Sequence, residues 1–267
     1  MANLASVSVS RWSFCTARPK SRASCCLKVP KKIIHNPDPS IYDPQLVFAT
    51  GDAPTFNSPD INTVDIWPLR PIPTLTATVR NLSADASANN TRIDLSWSAW
   101  GIGMPRAAIG STFVNLARAG FAGAETTISW PTPPAVTAAG LYGIFVNVVH
   151  PYDTDPNNNA GEQTIDGFQT STGRSKTFVV PVRNPTGVTQ TIHLSAGPSL
   201  VAPWTTIVPS TLTLAAGAQQ NVMVHITVPA AIPPSPPGTL ISAGVDILAT
   251  IGGAYLGGVN IAILFDA

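Results

Sequence analysis

Apolar and polar residues alternate along two long regions of the chain, and this alternation predicts β-strands. A period of two places successive side chains on opposite faces of a sheet, so each strand would bury one face. In the first region, the pattern runs through 45–49, 64–67, 75–80, 93–97, 127–130 and 142–149. In the second region, it runs through 176–182, 191–194, 211–214, 222–228, 241–249 and 256–265. No long amphipathic helix is predicted.

Frequent turn residues predict that these strands form sandwiches. The 26 prolines and 20 glycines interrupt the strands at short intervals, as in domains of two packed antiparallel sheets. We therefore predict an all-β fold with two tandem antiparallel β-sandwiches behind an extended N-terminal arm. The predicted boundaries are 1–40 for the arm, 41–170 for the first sandwich and 171–267 for the second. A polar stretch at 169–174 would link the sandwiches.

One stretch of the first region, 101–123, has no clear period. We expect a long connection there, and long loops in compact domains tend to be functional or to form interfaces. Trp100 would open this connection as an exposed side chain, and Arg106 and Arg118 would be available for ligand contact. The alternative is that the connection only covers one open end of the sandwich.

Short motifs in both regions resemble known bacterial modules. The first region has Val79-Arg80-Asn81 after a strand, Gly140-Leu141-Tyr142 at the start of a late strand, and a closing Asp- and Asn-rich run at 153–159. These features resemble the CARDB-type bacterial immunoglobulin-like domain of adhesins and cell-surface proteins, although the acidic residue before the Asn run is missing. The second region is similar to other bacterial immunoglobulin-like modules through 182–185, a Gly217 turn and Val228-Pro229. The resemblance implies two immunoglobulin-like sandwiches, which serve as spacers, adhesive tips or assembly subunits.

The chain separates its charges along its length. The first 35 residues carry seven of the fifteen Lys and Arg and no acid, while the rest has eight Lys and Arg against fourteen Asp and Glu, a formal charge of −6. Such an arm can bind its own body, another copy or another anion. Its apolar side chains favour docking on protein, and its cations are sparser than in arms that bind nucleic acid. The predicted docking residues are Arg11, Trp12, Phe14, Arg18, Lys20, Arg22, Lys28, Lys31 and Lys32.

The arm also bears on cellular location. All three cysteines (Cys15, Cys25, Cys26) lie in it, so the body needs no disulfide, and we expect free thiols or a bridge from Cys15 to one of the pair or to another copy. We find no secretory signal pattern, although the segment also resembles an organelle transit peptide. The sequence has no uninterrupted run of 18 apolar residues, so we predict no membrane-spanning helix. We therefore expect synthesis in the cytoplasm and residence in an assembled particle or on a surface.

A cluster of side-chain oxygens follows the last strand of the first region. Asp153, Asp155, Asn157, Asn159 and Glu162 alternate along a turn and could direct oxygens at a calcium ion. The helix-loop-helix calcium motif would need Gly at its sixth position and Glu at its twelfth, where this chain has Asn158 and Thr164. Asp and Asn also satisfy turn backbones with their own side chains. A plain turn is therefore the main interpretation and calcium the alternative; no other cofactor is predicted.

Catalytic patterns are missing from the sequence. The four histidines are scattered, with no nucleophile elbow or zinc-protease motif near them, and His193 and His225 fit outward or hydrogen-bonded strand positions. We predict that the protein is not an enzyme. The expected function is a structural or decoration subunit of a larger assembly (a virion, filament or injection-type particle), with protein partners that include copies of itself. The alternative is a surface adhesion or carbohydrate-binding module that stacks sugars on exposed Trp100.

Overall fold

The computed structural model describes residues 35–64, 71–131, 142–171, 173–230 and 240–266. The nine predicted docking residues of the arm and the three cysteines lie outside this part of the chain. No helix within the described residues is long and apolar enough to cross a membrane. Nearly all described elements are strands, so the predicted all-β class is confirmed.

In the first half of the body, the described residues form eight strands, one short helix and one 3₁₀ turn. These elements are β1 (Pro39–Ser40), α1 (Pro44–Ala49), β2 (Ile61–Val64), β3 (Pro71–Asn81), β4 (Ala88–Ala99), β5 (Ala107–Leu116), β6 (Glu125–Pro131), β7 (Tyr142–Val149), the 3₁₀ turn Pro156–Asn158 and β8 (Ala160–Ser171).

In the second half, the part of the chain that the structure describes forms seven strands and another 3₁₀ turn. They are β9 (Ser175–Arg183), β10 (Gln190–Ala196), the 3₁₀ turn Ala202–Trp204, β11 (Thr205–Val208), β12 (Thr211–Leu214), β13 (Gln219–Thr227), β14 (Leu240–Ile251) and β15 (Ala254–Asp266). Cross-strand hydrogen bonds hold the two predicted strand histidines, from His193 to Thr211 at 3.2 Å and from His225 to Thr177 at 2.7 Å.

One long sheet joins the two halves. Its eight strands follow the order β12-β10-β14-β15-β8-β7-β4-β5, so the C-terminal strand β15 lies beside β8 of the first half. The β8–β15 pair is parallel, unlike the antiparallel pairing expected throughout. In the first half, a sheet of β3, β6, β1 and β2 covers the long sheet, and in the second half the sheet β11-β13-β9 covers it. The predicted boundary near residue 170 therefore falls inside a continuous sheet.

The two hydrophobic cores lie on opposite faces of the long sheet. Ile144 belongs to the first core, so Phe145, next in β7, and Glu162 opposite it point to the other face. On its other edge β8 pairs with β15, and there Ile261 of the second core lies opposite Asp166. Asp166 and Glu162 are an even number of positions apart in β8, so their side chains point to the same face of the sheet. Glu162 therefore lies on the face that the second sandwich covers.

A short segment after β4, the clasp (residues 100–103), inserts into the second sandwich. Trp100 donates its indole N–H to the carbonyl of Val179 at 3.3 Å. Ile102 donates to Pro181 and accepts from Arg183, both at 2.9 Å, as an extra strand residue beside β9 would. The clasp glycines Gly101 and Gly103 have φ of 131° and 69°, and an added Cβ would meet the carbonyl oxygens of β9. Only glycine fits both positions.

A second segment, the strap (residues 41–60), crosses between the halves on the opposite face. Asp246 of β14 accepts from the Phe56 N–H at 2.8 Å and the Thr55 hydroxyl at 3.3 Å. Phe56 is fully buried, with its ring over Gly258, where any side chain would overlap the ring. Sheet pairing, clasp and strap together make residues 35–267 one compact unit.

Two sequence predictions of local structure are wrong. Residues 45–49 form α1 rather than a strand, because Asp43 caps its first turn by accepting from the N–H groups of Gln45 (2.8 Å) and Leu46 (3.1 Å). The stretch expected as a connection contains β5, which pairs with β4 along its length. Its alternation was hidden because β5 is an edge strand whose residues are mostly exposed and because a bulge interrupts its pairing with β4.

Candidate functional site

A polar cluster lies where β7 and β8 of the first half meet β15 of the second. Glu162 stands opposite Phe145 near the start of β8. Across the joint, a register shift between β14 and β15 places an extra residue before Gly257, which redirects the strand near Tyr255. The Tyr255 hydroxyl donates to Oε2 of Glu162 at 3.0 Å. The cluster thus ties the first half to the C-terminal hairpin.

Glu162 is the most perturbed carboxyl group described. Only 7% of the residue is exposed, and burial raises its pKa to about 7. The charge of Arg106 and hydrogen bonds from Tyr255, the Thr164 hydroxyl (3.4 Å to Oε1) and the Gly258 N–H oppose that rise. Glu162 is therefore divided between its neutral and charged forms near pH 7.

Tyr255 and Arg106 complete the polar side of the cluster. Burial and the adjacent Glu162 raise the pKa of the Tyr255 phenol, so it stays a hydrogen-bond donor. The guanidinium carbon of Arg106 lies 3.6 Å from the ring centroid of Phe145, a cation–π contact. Phe145 is itself buried. Arg106 therefore covers the Phe145 ring, and its positive charge acts on the Glu162 carboxylate.

Asp43 forms the opposite wall. Besides capping α1, its Oδ2 accepts from the N–H of Ala160 at 2.9 Å, which fixes the strap against the start of β8. Burial raises the pKa of Asp43, these backbone hydrogen bonds lower it, and nearby Asp155 raises it further.

These groups surround a cavity of about 90 Å³. Asp43, Glu162, Tyr255 and Phe145 line its interior, while exposed Gln45 and Arg106 stand at its rim. Such a volume holds roughly three waters, each needing about 30 Å³. The described lining offers carboxylate oxygens, a phenol and a guanidinium, so it is suited to binding a polar group by hydrogen bonds and charge.

The structure brings only some of the predicted contact residues together. Arg106 is part of the cluster. Arg118 is not a lining residue and lies over Phe121, 4.5 Å from that ring centroid. The expectation that Trp100 is exposed is wrong: the residue is 7% exposed and belongs to the second core. The clasp carries Trp100 from the end of β4 into the core of the second half.

The predicted oxygen cluster divides into two places. Asp153 accepts from the Asp155 N–H at 3.0 Å and from the Asn159 amide at 2.6 Å, and Asp155 accepts from the Asn157 N–H at 3.2 Å. These local hydrogen bonds are those of a turn. Glu162 lies in β8 and bonds to Tyr255 instead. Within the described residues, no group of three or more His, Cys, Asp or Glu is placed to hold a metal ion.

Sequence reasoning missed Asp43, Phe145 and Tyr255 as site residues. The signal for Asp43 was present, because Asp followed by Pro is a typical helix start. Adjacent glycines inside an apolar strand, as at Gly257-Gly258, are typical of a bulge, and the bulge found there is what redirects the chain at Tyr255. Nothing local could show that β15 pairs with β8.

Comparison with known proteins adds little beyond the fold. No protein-family model and no curated protein matches the sequence. Among solved structures, the chain is similar to the ASH/PapD-like domain 7 of human CEP192, with 11% identity and a TM-score of 0.26, over 38% of this chain and 80% of that one.

The chain is also similar to Escherichia coli alpha-2-macroglobulin. The elastase-activated form gives 9% identity and a TM-score of 0.27 over 73% of this chain and 21% of that one. The native form gives 9% identity and a TM-score of 0.25 over 78% and 16%. Similarities at this level carry no argument about function, and the resemblance to CARDB-type modules stays a prediction.

Proposed function

We propose that this protein is a non-enzymatic structural or decoration subunit that docks on its neighbours in a larger protein assembly through its basic N-terminal arm. The observation that carries the proposal is how the body uses its buried acids. Asp43, Asp60 and Glu162 are the buried carboxylates among the described residues. Each is engaged by backbone or side-chain donors that hold one element to another. The acidic chemistry of the interior therefore serves architecture.

The joint between the sandwiches supports the same conclusion. A continuous sheet, the clasp and the strap connect the halves at three separate places. Three connections of this kind hold the two halves in one relative position, as a structural subunit requires. A body of formal charge −6 would attract the seven cations of another copy's arm over distances of about a Debye length, roughly 8–10 Å at physiological salt.

The outer face of the three-stranded sheet offers a further contact surface. Val208, Met223 and Val179 lie side by side across β11, β13 and β9 and are 50%, 42% and 46% exposed. Exposed apolar rows of this kind are common where subunits pack on one another. The row supports an assembled state for the protein without identifying the neighbour.

Sedimentation velocity over a range of protein concentrations tests the proposal. The wild-type chain should form assemblies that weaken as salt is raised. A variant with the seven arm Lys and Arg replaced by Gln should remain monomeric, with an unchanged circular dichroism spectrum. Replacing exposed Arg92 and Arg118 by Gln is the control and should leave assembly intact. A neutral-armed chain that assembles as well as the wild type would contradict the proposal.

A further inference from the structure

The polar cavity at the joint has a larger neighbour. A second cavity of about 320 Å³ adjoins it, and Asp43, Gln45 and Ala160 line both. The larger cavity also has apolar walls, formed by Leu46, Ala49 and Pro156. A guest that fills both must therefore have an aliphatic part and a polar end.

The charges around the cavities are unbalanced. Asp43 and Glu162 line the smaller cavity, and Asp155 is close enough to Asp43 to raise its pKa. Arg106 is the one cation among the described lining residues, and its guanidinium is placed over Phe145. With all three carboxyl groups ionised, the site carries a net charge of about −2, which one further cation would reduce.

We propose that these adjoining cavities bind the ammonium group of a lysine side chain, with its methylene stem along Leu46, Ala49 and Pro156. The ammonium has three donors and a compact charge, which suits the oxygens of Glu162, Asp43 and Tyr255. A lysine stem buries well along apolar walls while its head stays with polar partners.

The lysine comes from the arm of a second copy, an inference that rests on the function proposed above. Four of the chain's five lysines (Lys20, Lys28, Lys31, Lys32) lie in the first 32 residues. The arm carries seven cations and no acid, while the body has an excess of acids, so this assignment matches charge on both sides. The free end of a lysine side chain could enter past the exposed rim residues Gln45 and Arg106.

The first experiment tests the ammonium chemistry alone. Nα-acetyl-lysine N-methylamide is titrated by calorimetry into the full chain at pH 8, with the four arm lysines replaced by Gln so that they do not compete. We expect millimolar binding, and none by the norleucine analogue, which keeps the stem and lacks the ammonium. Binding should strengthen from pH 6 to pH 8, since Glu162 ionises with a pKa of about 7 while the ligand stays charged. Equal binding of both probes would overturn the proposal.

Variants of the cavity locate the site. Glu162→Gln should weaken binding of the lysine probe at least fivefold, while Gln45→Glu, which adds a carboxylate at the rim, should strengthen it. Glu125→Gln is the matched control because Glu125 is an exposed carboxylate on β6, with 61% of its side chain accessible. If Glu162→Gln and Glu125→Gln bind the probe alike, the cavity is not the site.

Assembly measurements test the source of the lysine. In the otherwise wild-type chain, Glu162→Gln should weaken assembly, and it should have no added effect once the four arm lysines are Gln. Assembly that depends on the arm but is indifferent to Glu162→Gln would overturn this inference and leave the proposed function standing. Probe binding at Glu162 in a chain whose assembly ignores the arm would reject the arm as source and would count against the proposed function.

Discussion

The two halves of the body share one structural device and differ in what they bury. Val79-Arg80-Asn81 and Val182-Arg183-Asn184 each place a buried asparagine where a strand ends, as the last residue of β3 and the first residue after β9. Asn81 donates to the carbonyls of Ala86 (2.7 Å) and Ala117 (2.9 Å). Asn184 likewise donates to Val188 (2.7 Å) and Leu214 (3.0 Å). In both halves the amide locks the turn after the strand to a distant segment.

Beyond this shared turn, polar burial is concentrated in the first half. Of the fourteen buried polar residues described, twelve belong to the first half, and Asn184 and Asn260 are the two in the second. The second core is built from β-branched and Leu side chains at alternate positions of its strands. The first half therefore depends on specific polar partners for its geometry, while the second depends mainly on apolar packing.

The largest effect should follow from removing the last strand. We predict that deleting residues 260–267 abolishes soluble folded protein. The deleted stretch includes the fully buried Ile261, Ile263 and Phe265 and the pairing of β15 with both β14 and β8. Soluble yield and a thermal melt are the measurements. Ile263→Ala is the graded control, expected to cost about 2–5 kcal/mol and to stay folded. Normal yield and melting of the truncated chain would show that the halves fold independently of this strand.

The difference between the halves explains which parts of the fold were predictable. In the second half, strict alternation predicted 211–214 as a strand with the bounds of β12, and five other strands overlap their predictions. In the first half, β8 was missed because its sequence, with Gly161 and Gly167 and polar neighbours, does not alternate clearly. Residues of β8 such as Glu162 are buried by contacts with β15, which is far away in the sequence. A hydropathy pattern cannot reveal such contacts.

The candidate site was less predictable for the same reason. Glu162 and Arg106 were both selected from the sequence, but for separate roles in a turn cluster and a loop. Their meeting depends on the pairing of β7 with β8 and of β8 with β15. Tyr255 enters only through the bulge in the last hairpin. Side chains were identifiable by type, while their grouping required the topology of the long sheet.

An intermediate effect should come from the asparagine that the halves share. We predict that Asn81→Ala and Asn184→Ala each lower the free energy of unfolding by about 2–4 kcal/mol, because each removes a buried amide and leaves two backbone carbonyls without their donor. Urea denaturation of both variants is the measurement. Asn221→Ala, at an exposed position in β13, is the control and should stay within about 0.5 kcal/mol of the wild type. Clearly unequal losses would show that the device is essential in only one half.

The smallest predicted effect concerns Glu162, whose substitution should raise the free energy of unfolding at high pH rather than lower it. Its pKa in the folded chain is about 7, against an ordinary value of 4.5, so the folded state holds the proton more tightly than the unfolded state does. The stability that this proton supplies is complete below about pH 4.5 and is lost as the pH rises to about 7. Glu162→Gln removes this dependence and should be the more stable protein at pH 8.

We expect the unfolding free energy of Glu162→Gln to match that of the wild type at pH 4 and to exceed it by about 1–3 kcal/mol at pH 8. The gain is reduced by the hydrogen bond that is lost when the amide nitrogen of Gln replaces the carboxylate oxygen that accepts from Tyr255 or Thr164. Urea unfolding at pH 4, 6 and 8 measures the divergence, and Glu125→Gln should show none. A constant offset at all three pH values would mean that Glu162 binds its proton equally well in the folded and unfolded chains, so that burial does not raise its pKa. The joint would then hold a charged Glu162 at pH 6 and pH 8, and the polar first half would differ from the apolar second half even more than its hydrogen bonds indicate.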